Sequence, residues 1–398
     1  MTPDSIVLLA LLFAAAGAGW FFARLTGRSQ ARVSAPGVHP EYFQGLDFLL
    51  NEEPDKAIEV FRRMADVDPE TVETHFLLGN LFRRRGEINR AILIHQNIYE
   101  RGDLPRAQRN RALKELADDY LKAGLFDRAE AMFKRLSEKA GYEQTALEQL
   151  VRIYEQEREW EKAIDARNRI ASVSGPGVSP EVAHYYCELA EKAMGQGDGE
   201  KARDCLRRAR NADRESLRGT LMRARLASEE GDHRLAVRLY RNALSRDPAF
   251  AAIVLPLMRR SYQAMSDLEG FTDLLSSLVE AQPRAKSGIA YAAIVDGGFD
   301  DPVTADCIDE FINANPLLTD LLEILRPGRP DSRSEADTRQ ESVRRITRAL
   351  QRLARRSPAY RCHSCGFSGQ MLFWQCPTCK SWGSSRPLAR FQFDASIS

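Results

Sequence analysis

Gly79-Asn80-Leu81-Phe82-Arg83-Arg84-Arg85-Gly86-Glu87-Ile88-Asn89-Arg90-Ala91 is the stretch that decides the fold. A small residue is followed three positions later by an aromatic one. Arg85-Gly86-Glu87 then marks a turn, and Ala91 places a second small residue beyond it. This reads as a helix, a tight turn and a second helix, with the small residues letting the pair approach. The frame recurs along the chain. Ala57, Ala91, Ala129, Ala163, Ala202 and Ala236 stand 34, 38, 34, 39 and 34 residues apart. Gly45, Gly79, Ala117, Ala190 and Ala224 fill the first small position, and Phe48, Phe82, Tyr120 and Tyr154 the aromatic one. Ala123-Gly124-Leu125 and Glu230-Gly231-Asp232 repeat the turn. Pro69, Pro248, Pro283 and Pro316 close units, because proline cannot extend the helix before it.

A basal period of 34 residues with occasional loop insertions is the tetratricopeptide signature. The spacing predicts six well-formed units and two degenerate ones, the seventh around Tyr262 and Phe271 and the eighth over 285–316. The fold class is therefore all-α, a superhelical solenoid. Such units stack only on their neighbours, and their long concave face binds partners. Arg83, Arg84, Lys114 and Lys122 are the expected partner contacts on first helices, with Asp118, Glu148 and Arg152 also in the groove. Taken singly, each of them is better explained as solvated helix surface. Asn80 and Lys114 match part of the clamp by which some tetratricopeptide proteins hold a C-terminal carboxylate. The other clamp positions are missing, so that mode is not expected.

Beyond the repeats, Cys362-His363-Ser364-Cys365 and Cys376-Pro377-Thr378-Cys379 form two knuckles separated by residues 366–375. A tetrahedral ion needs four soft ligands, and each knuckle brings two sulfurs to one side of a turn. The four cysteines are expected to hold one metal ion in a rubredoxin-like domain. Zinc and iron both accept four thiolates, and the spacing does not choose between them. No ligand position is open, so hydrolytic chemistry is not expected. His363 lies between ligands and is read as exposed. Tyr360, Phe367, Phe373, Trp374, Trp382, Phe391 and Phe393 are expected to pack around the ligands, since so small a domain needs its metal to hold together. Cys187, Cys205 and Cys307 lie within helical patterns and are read as buried thiols of a reducing compartment.

At the other end, residues 6–23 contain no charge. A helix of that length spans roughly 27 Å, close to the hydrocarbon thickness of a bilayer. Only Asp4 precedes it, whereas Arg24, Arg28 and Arg32 follow. A secretory signal would carry its positive charge ahead of the run. The charge asymmetry predicts a single span with the N-terminus periplasmic and the bulk of the chain cytoplasmic. The expected divisions are an anchor over 1–25, a juxtamembrane linker over 26–37, the array over 38–325, a linker and basic amphipathic helix over 326–358, and the metal domain over 359–398.

Within 337–356, Val343, Ile346, Leu350 and Leu353 form an apolar stripe. Arg344, Arg348 and Arg352 form a basic stripe beside it. The favoured reading packs the apolar side on the array with solvated arginines. The sharper one gives the arginines an acidic partner or an anionic membrane. With 57 basic against 56 acidic side chains, the chain is nearly neutral, which argues against a dedicated nucleic-acid binder. It has no Gly-rich phosphate loop, no His-Glu-x-x-His and no Gly-x-Ser-x-Gly, so no enzyme class is indicated.

Anchor, tetratricopeptide array and tetrathiolate thus follow one another. The run at 6–23, the repeat segment at 42–69 and the ending Tyr360-Arg-Cys-His-Ser-Cys-Gly-Phe367 with Trp374-Gln-Cys-Pro-Thr-Cys-Lys-Ser-Trp382 closely resemble the lipopolysaccharide assembly protein B family of Gram-negative bacteria. The resemblance covers nearly the whole chain. It implies a non-catalytic inner-membrane adaptor that regulates lipopolysaccharide synthesis. The partners it implies are the membrane AAA protease FtsH and the LpxC deacetylase, whose degradation family members promote. Other inner-membrane proteins of the pathway, met through the transmembrane helix, and a second copy of the chain stay open as partners. Two alternatives come from the metal site itself, a rubredoxin-type electron carrier and a zinc-ribbon scaffold that binds nucleic acid.

Overall fold

The computed structural model describes residues 43–45, 47–48, 51, 53, 55–57, 59–60, 72–174, 180–281, 285–296, 301–314, 344–352 and 358–388. The expected anchor at 6–23, the linker at 26–37 and the Pro327–Pro330 segment lie outside them. Among the described residues no helix is long and apolar enough to cross a membrane. The chain divides between Ala140 and Gly141 into two compact units.

In the first unit, α1 (Val72–Arg84) pairs with α2 (Ile88–Glu100), and α3 (Arg106–Lys122) pairs with α4 (Phe126–Ser137). In the second, α5 (Glu143–Glu157) pairs with α6 (Trp160–Ser174), α7 (Pro180–Gly195) with α8 (Gly199–Ala212), and α9 (Leu217–Glu229) with α10 (His233–Arg246). Next come α11 (Ala251–Ala264), α12 (Leu268–Ala281), α13 (Ala285–Asp296) and α14 (Pro302–Asn313). These are tetratricopeptide hairpins. All six alanines of the sequence frame are 0% exposed.

The turns share one chemistry. Gly86, Gly124, Gly197 and Gly231 have φ between 73° and 86°, and each stands five residues before an alanine of the frame. The next residue folds back, so that the N–H groups of Glu87, Leu125 and Asp198 donate to the carbonyls of Phe82, Tyr120 and Ala193 at 2.9 Å. This satisfies helix-end carbonyls that would otherwise be orphaned. Asp198 and Asp232 then cap the following helices by accepting from the backbone N–H of Lys201 and Leu235.

The seventh pair departs from this pattern for a visible reason. Arg259 and Phe271 stand where the frame has two small residues. With Phe271 buried against Tyr262 at a centroid distance of 5.8 Å, α11 and α12 cannot close as tightly. α11 instead packs closely on α13, where Gly288 lets the backbone meet Ala251. Residues 344–352 are helical, and Ile346 and Leu350 are buried against Ile294 and Ile312 of the last pair. Arg344, Arg348 and Arg352 are exposed.

The metal domain is a small antiparallel sheet. Central β1 (Tyr360–Cys362) pairs with β2 (Ser368–Gly369) and β3 (Ser385–Pro387), in the order β2-β1-β3. Tyr360 faces Gly369 on one side and Pro387 on the other.

Candidate metal centre

The two knuckles are copies of one turn. Gly366 N–H donates to the Cys362 carbonyl and Lys380 N–H to that of Cys376, both at 2.9 Å. Gly366 and Lys380 both have positive φ, 79° and 60°. Each turn folds its two thiols to the same side. The four Sγ atoms lie within 4.8 Å of one another, with Cys362 to Cys379 at 3.7 Å and Cys365 to Cys376 at 3.6 Å. A tetrahedral ion with metal–sulfur bonds of about 2.3 Å requires sulfurs about 3.8 Å apart, so the donor set fits one ion. His363 is exposed and outside the tetrad.

The electrostatics point the same way. The Ser384 hydroxyl, 3.2 Å from Cys362 Sγ, holds that thiol down to about 5, and Ser381 lowers Cys379. Against a hydrogen bond from the Phe367 backbone, desolvation and the neighbouring sulfurs push Cys365 up to about 12. Four thiolates this close repel one another, and a central cation removes the conflict. The other three cysteines are buried free thiols. Burial pushes Cys187 up to about 12 and Cys307 to about 11, which leaves them unreactive.

The aromatic residues around the knuckles divide their work. Phe367 and Phe373 pack edge-on within the ribbon at 6.2 Å. Trp374 and Trp382, expected as part of that same shell, turn instead to the array. Trp382 donates its indole N–H to Glu155 Oε1 at 2.8 Å, and the Tyr185 hydroxyl donates to the same oxygen at 2.6 Å. Its ring stacks on His184 at 5.1 Å and meets Trp160 and Tyr185 edge-on. Trp374 stacks on Phe250 with 10° between planes, and the Arg218 guanidinium lies 5.8 Å from its centroid. Arg386 pairs with Asp247 at 2.9 Å. Leu372 and Trp374 join the buried core of α9 to α14. The metal therefore organises a plate that is bolted to the helices of the second unit.

A family model described as a rubredoxin metal binding domain matches residues 360–387, and a tetratricopeptide repeat model matches 43–108 and 114–178. Lipopolysaccharide assembly protein B of Escherichia coli K12 is 32% identical over 382 residues, spanning 96% of this chain and 98% of the relative. The chain belongs to the lipopolysaccharide assembly protein B family. The Haemophilus influenzae protein of the same name is 26% identical over 392 residues, with 96% and 98% covered. Among solved structures, the complex of the TPR2AB domain of yeast Sti1 with pHSP90 is 17% identical. It covers 68% of this chain and 95% of that one at a TM-score of 0.33, which carries no argument about binding.

In this member of the lipopolysaccharide assembly protein B family, the groove charges differ in what they are free to do. Arg84 and Lys122 are exposed, and Lys114 pairs with Asp118 at 2.8 Å. Arg83, read from sequence as an exposed charge, is only 18% exposed. Its guanidinium donates to Asp119 Oδ1 at 3.0 Å and to the carboxylate of Glu115, and Asp119 is fully buried beside His95. Burial opposes both charges of the Arg83–Glu115 pair. Their mutual attraction still raises Arg83 and holds Glu115 below the usual carboxylate range. Arg83 is thus a tie between α1 and α3. Sequence reasoning also missed the seat formed by Glu155, Trp160, His184 and Tyr185. Its one available signal was the two tryptophans beside the second knuckle, more aromatic surface than a ribbon of about 30 residues can bury alone.

Proposed function

We propose that this protein is a membrane-anchored, non-catalytic adaptor in lipopolysaccharide assembly. Its array and its metal ribbon together form the surface that holds a client protein for a membrane-bound protease. Family membership over nearly the full length of both chains supports the pathway. The observation that carries the adaptor role is the seating of the ribbon on the array through Trp374 and Trp382. All four ligand positions of the ion are taken by thiolates, so the ion's work is to shape a binding surface. Residues 6–23 supply the single span, with the array on the cytoplasmic side. Following the family resemblance, the client is the LpxC deacetylase and the protease is FtsH. The exposed Arg84, Lys122, Arg344, Arg348 and Arg352 are its candidate contacts.

The test is the client's half-life after protein synthesis is blocked. In a strain lacking this protein, the deacetylase is expected to persist several times longer while its transcript stays unchanged. A half-life equal to that of the parent strain removes the degradation-adaptor reading.

A further inference from the structure

A cavity of about 1020 Å³ opens between the second knuckle and helices α5 to α7. That is at the upper end of the roughly 300–1,000 Å³ typical of ligand pockets. Two of its lining residues hold strained backbone. Among the described residues, only Arg158, Ser266 and Lys380 combine a side chain with positive φ, at 58°, 56° and 60°. Arg158 and Lys380 both line this cavity. Each stands where the chain uses glycine elsewhere. The turn position of Arg158 is filled by Gly86, Gly124, Gly197 and Gly231, and the knuckle position of Lys380 by Gly366. Left-handed backbone is unfavourable for any residue with a Cβ, and such strain collects at functional positions. Neither cation has an ionic partner among the described residues. The fold therefore tolerates strain at two unrelated turns, and both place an unpaired positive charge on one cavity.

We infer that this cavity binds an extended peptide segment bearing a carboxylate, with Arg158 and Lys380 as its anion anchors. The site rests on the adaptor reading and names the chemistry that the adaptor recognises. The rest of the wall favours a peptide over a polyanion. Glu148 and Glu181 face the same space and would repel a dense array of phosphates. The side-chain amides of Gln156 and Gln375 can both donate to and accept from a peptide backbone. Trp382 and His184 give an aromatic wall for an apolar neighbour of the carboxylate. Glu155 accepts from Trp382 and Tyr185 and is thereby fixed in the wall, where its charge acts on Arg167.

The full metal-loaded chain in detergent would be screened against fluorescein-labelled hexapeptides. One position would be fixed as Glu, Asp, Gln or Asn, each with a free and an amidated C-terminus. Retention of peptides with a carboxylate is expected. The amidated set shows whether a side chain or the chain terminus supplies it. Combined Arg158→Gly and Lys380→Gly is expected to weaken binding by roughly tenfold or more. The same variant should keep its metal and melt no lower than the parent, because glycine relaxes both turns, so unfolding cannot account for the loss. Equal binding by this variant, or a parent protein that does not prefer carboxylates, overturns the site. Capture of phosphatidylglycerol vesicles through the same two residues, with no peptide retained, overturns it in favour of a membrane surface. In cells the two readings separate. If deletion of the protein slows client degradation but the glycine variant restores it fully, the site fails and the adaptor role stands.

Discussion

At Gly79 an added Cβ would lie 2.4 Å from Nε2 of His95, closer than any real side chain packs. His95 cannot step aside, because it is fully buried and its Nδ1 sits 2.5 Å from the carboxylate of Asp119. Gly79→Ala is therefore expected to destabilise the first unit by about 1–3 kcal/mol, measured as a lower urea midpoint. Arg83→Glu breaks the tie to Glu115 and Asp119 and should cost about 3 kcal/mol, whereas Arg84→Glu should stay within about 0.5 kcal/mol. Equal losses from the two substitutions, on the same urea scale, would contradict the division of roles between these neighbours. At Ser266 the sign reverses. Its φ of 56° suits glycine, so Ser266→Gly should stabilise by about 1 kcal/mol. The small residues were readable from sequence because the period repeats them. The role of Arg83 was not, since three successive arginines look alike on paper. What separates them is Asp119, 36 residues away and close to one repeat period along, where successive first helices meet.

The ribbon is an element whose internal order and whose docking are tied to the same ion. Structural zinc in small fingers contributes about 10–16 kcal/mol of apparent binding free energy, more than a domain this small holds otherwise. Trp160, Trp374 and Trp382 lie at the contact with the array, and the chain's fourth tryptophan is Trp20. In a chain lacking residues 1–24, tryptophan emission therefore reports the seam alone. Chelation, or Cys376→Ser, is expected to shift that emission to the red while far-UV helicity is retained, because the helix pairs bury their alanines without help from the ribbon. Loss of helicity in parallel would show that the array depends on the ribbon to fold. His184 adds a pH dependence. Burial, with Arg218 nearby, lowers its pKa from 6.5 to about 4. Between those values the unfolded chain binds the extra proton, so stability is full above about pH 6.5 and falls as pH drops toward 4. A shift of this size is worth roughly 3 kcal/mol across the window. His184→Gln should flatten that slope in urea titrations at pH 7.5 and 5.5. Acid also protonates the thiolates, but both proteins share them and the difference cancels that effect. The four ligands were plain in the sequence because their spacing is local. Their seat was not, because Glu155 and Trp382 meet across 227 residues that no period connects.

At the scale of the whole molecule, the repeats and the ribbon were readable because each has its own composition: a 34-residue period and paired cysteines. On the proposed reading that residues 6–23 span a membrane, what the molecule does depends on whether that run is a tether or a contact. A tether needs only length, apolarity and the flanking arginines. A contact would need a particular face, and the small residues at 14–19 could provide one through close helix packing in the bilayer. The two are separable. Removing residues 1–24 should give a folded, soluble protein that fails to speed client turnover at equal abundance, if recruitment to the membrane is the mechanism. Replacing 6–23 with an unrelated single span of the same length, keeping Arg24, Arg28 and Arg32, should restore turnover if the run is only a tether. A chain that is correctly inserted, judged by a cytoplasmic readout from a reporter after Ser398, yet leaves the client long-lived would assign the run a specific partner within the membrane. Full turnover by the truncated soluble chain would dismiss both and place the whole of client delivery on the array and its ribbon.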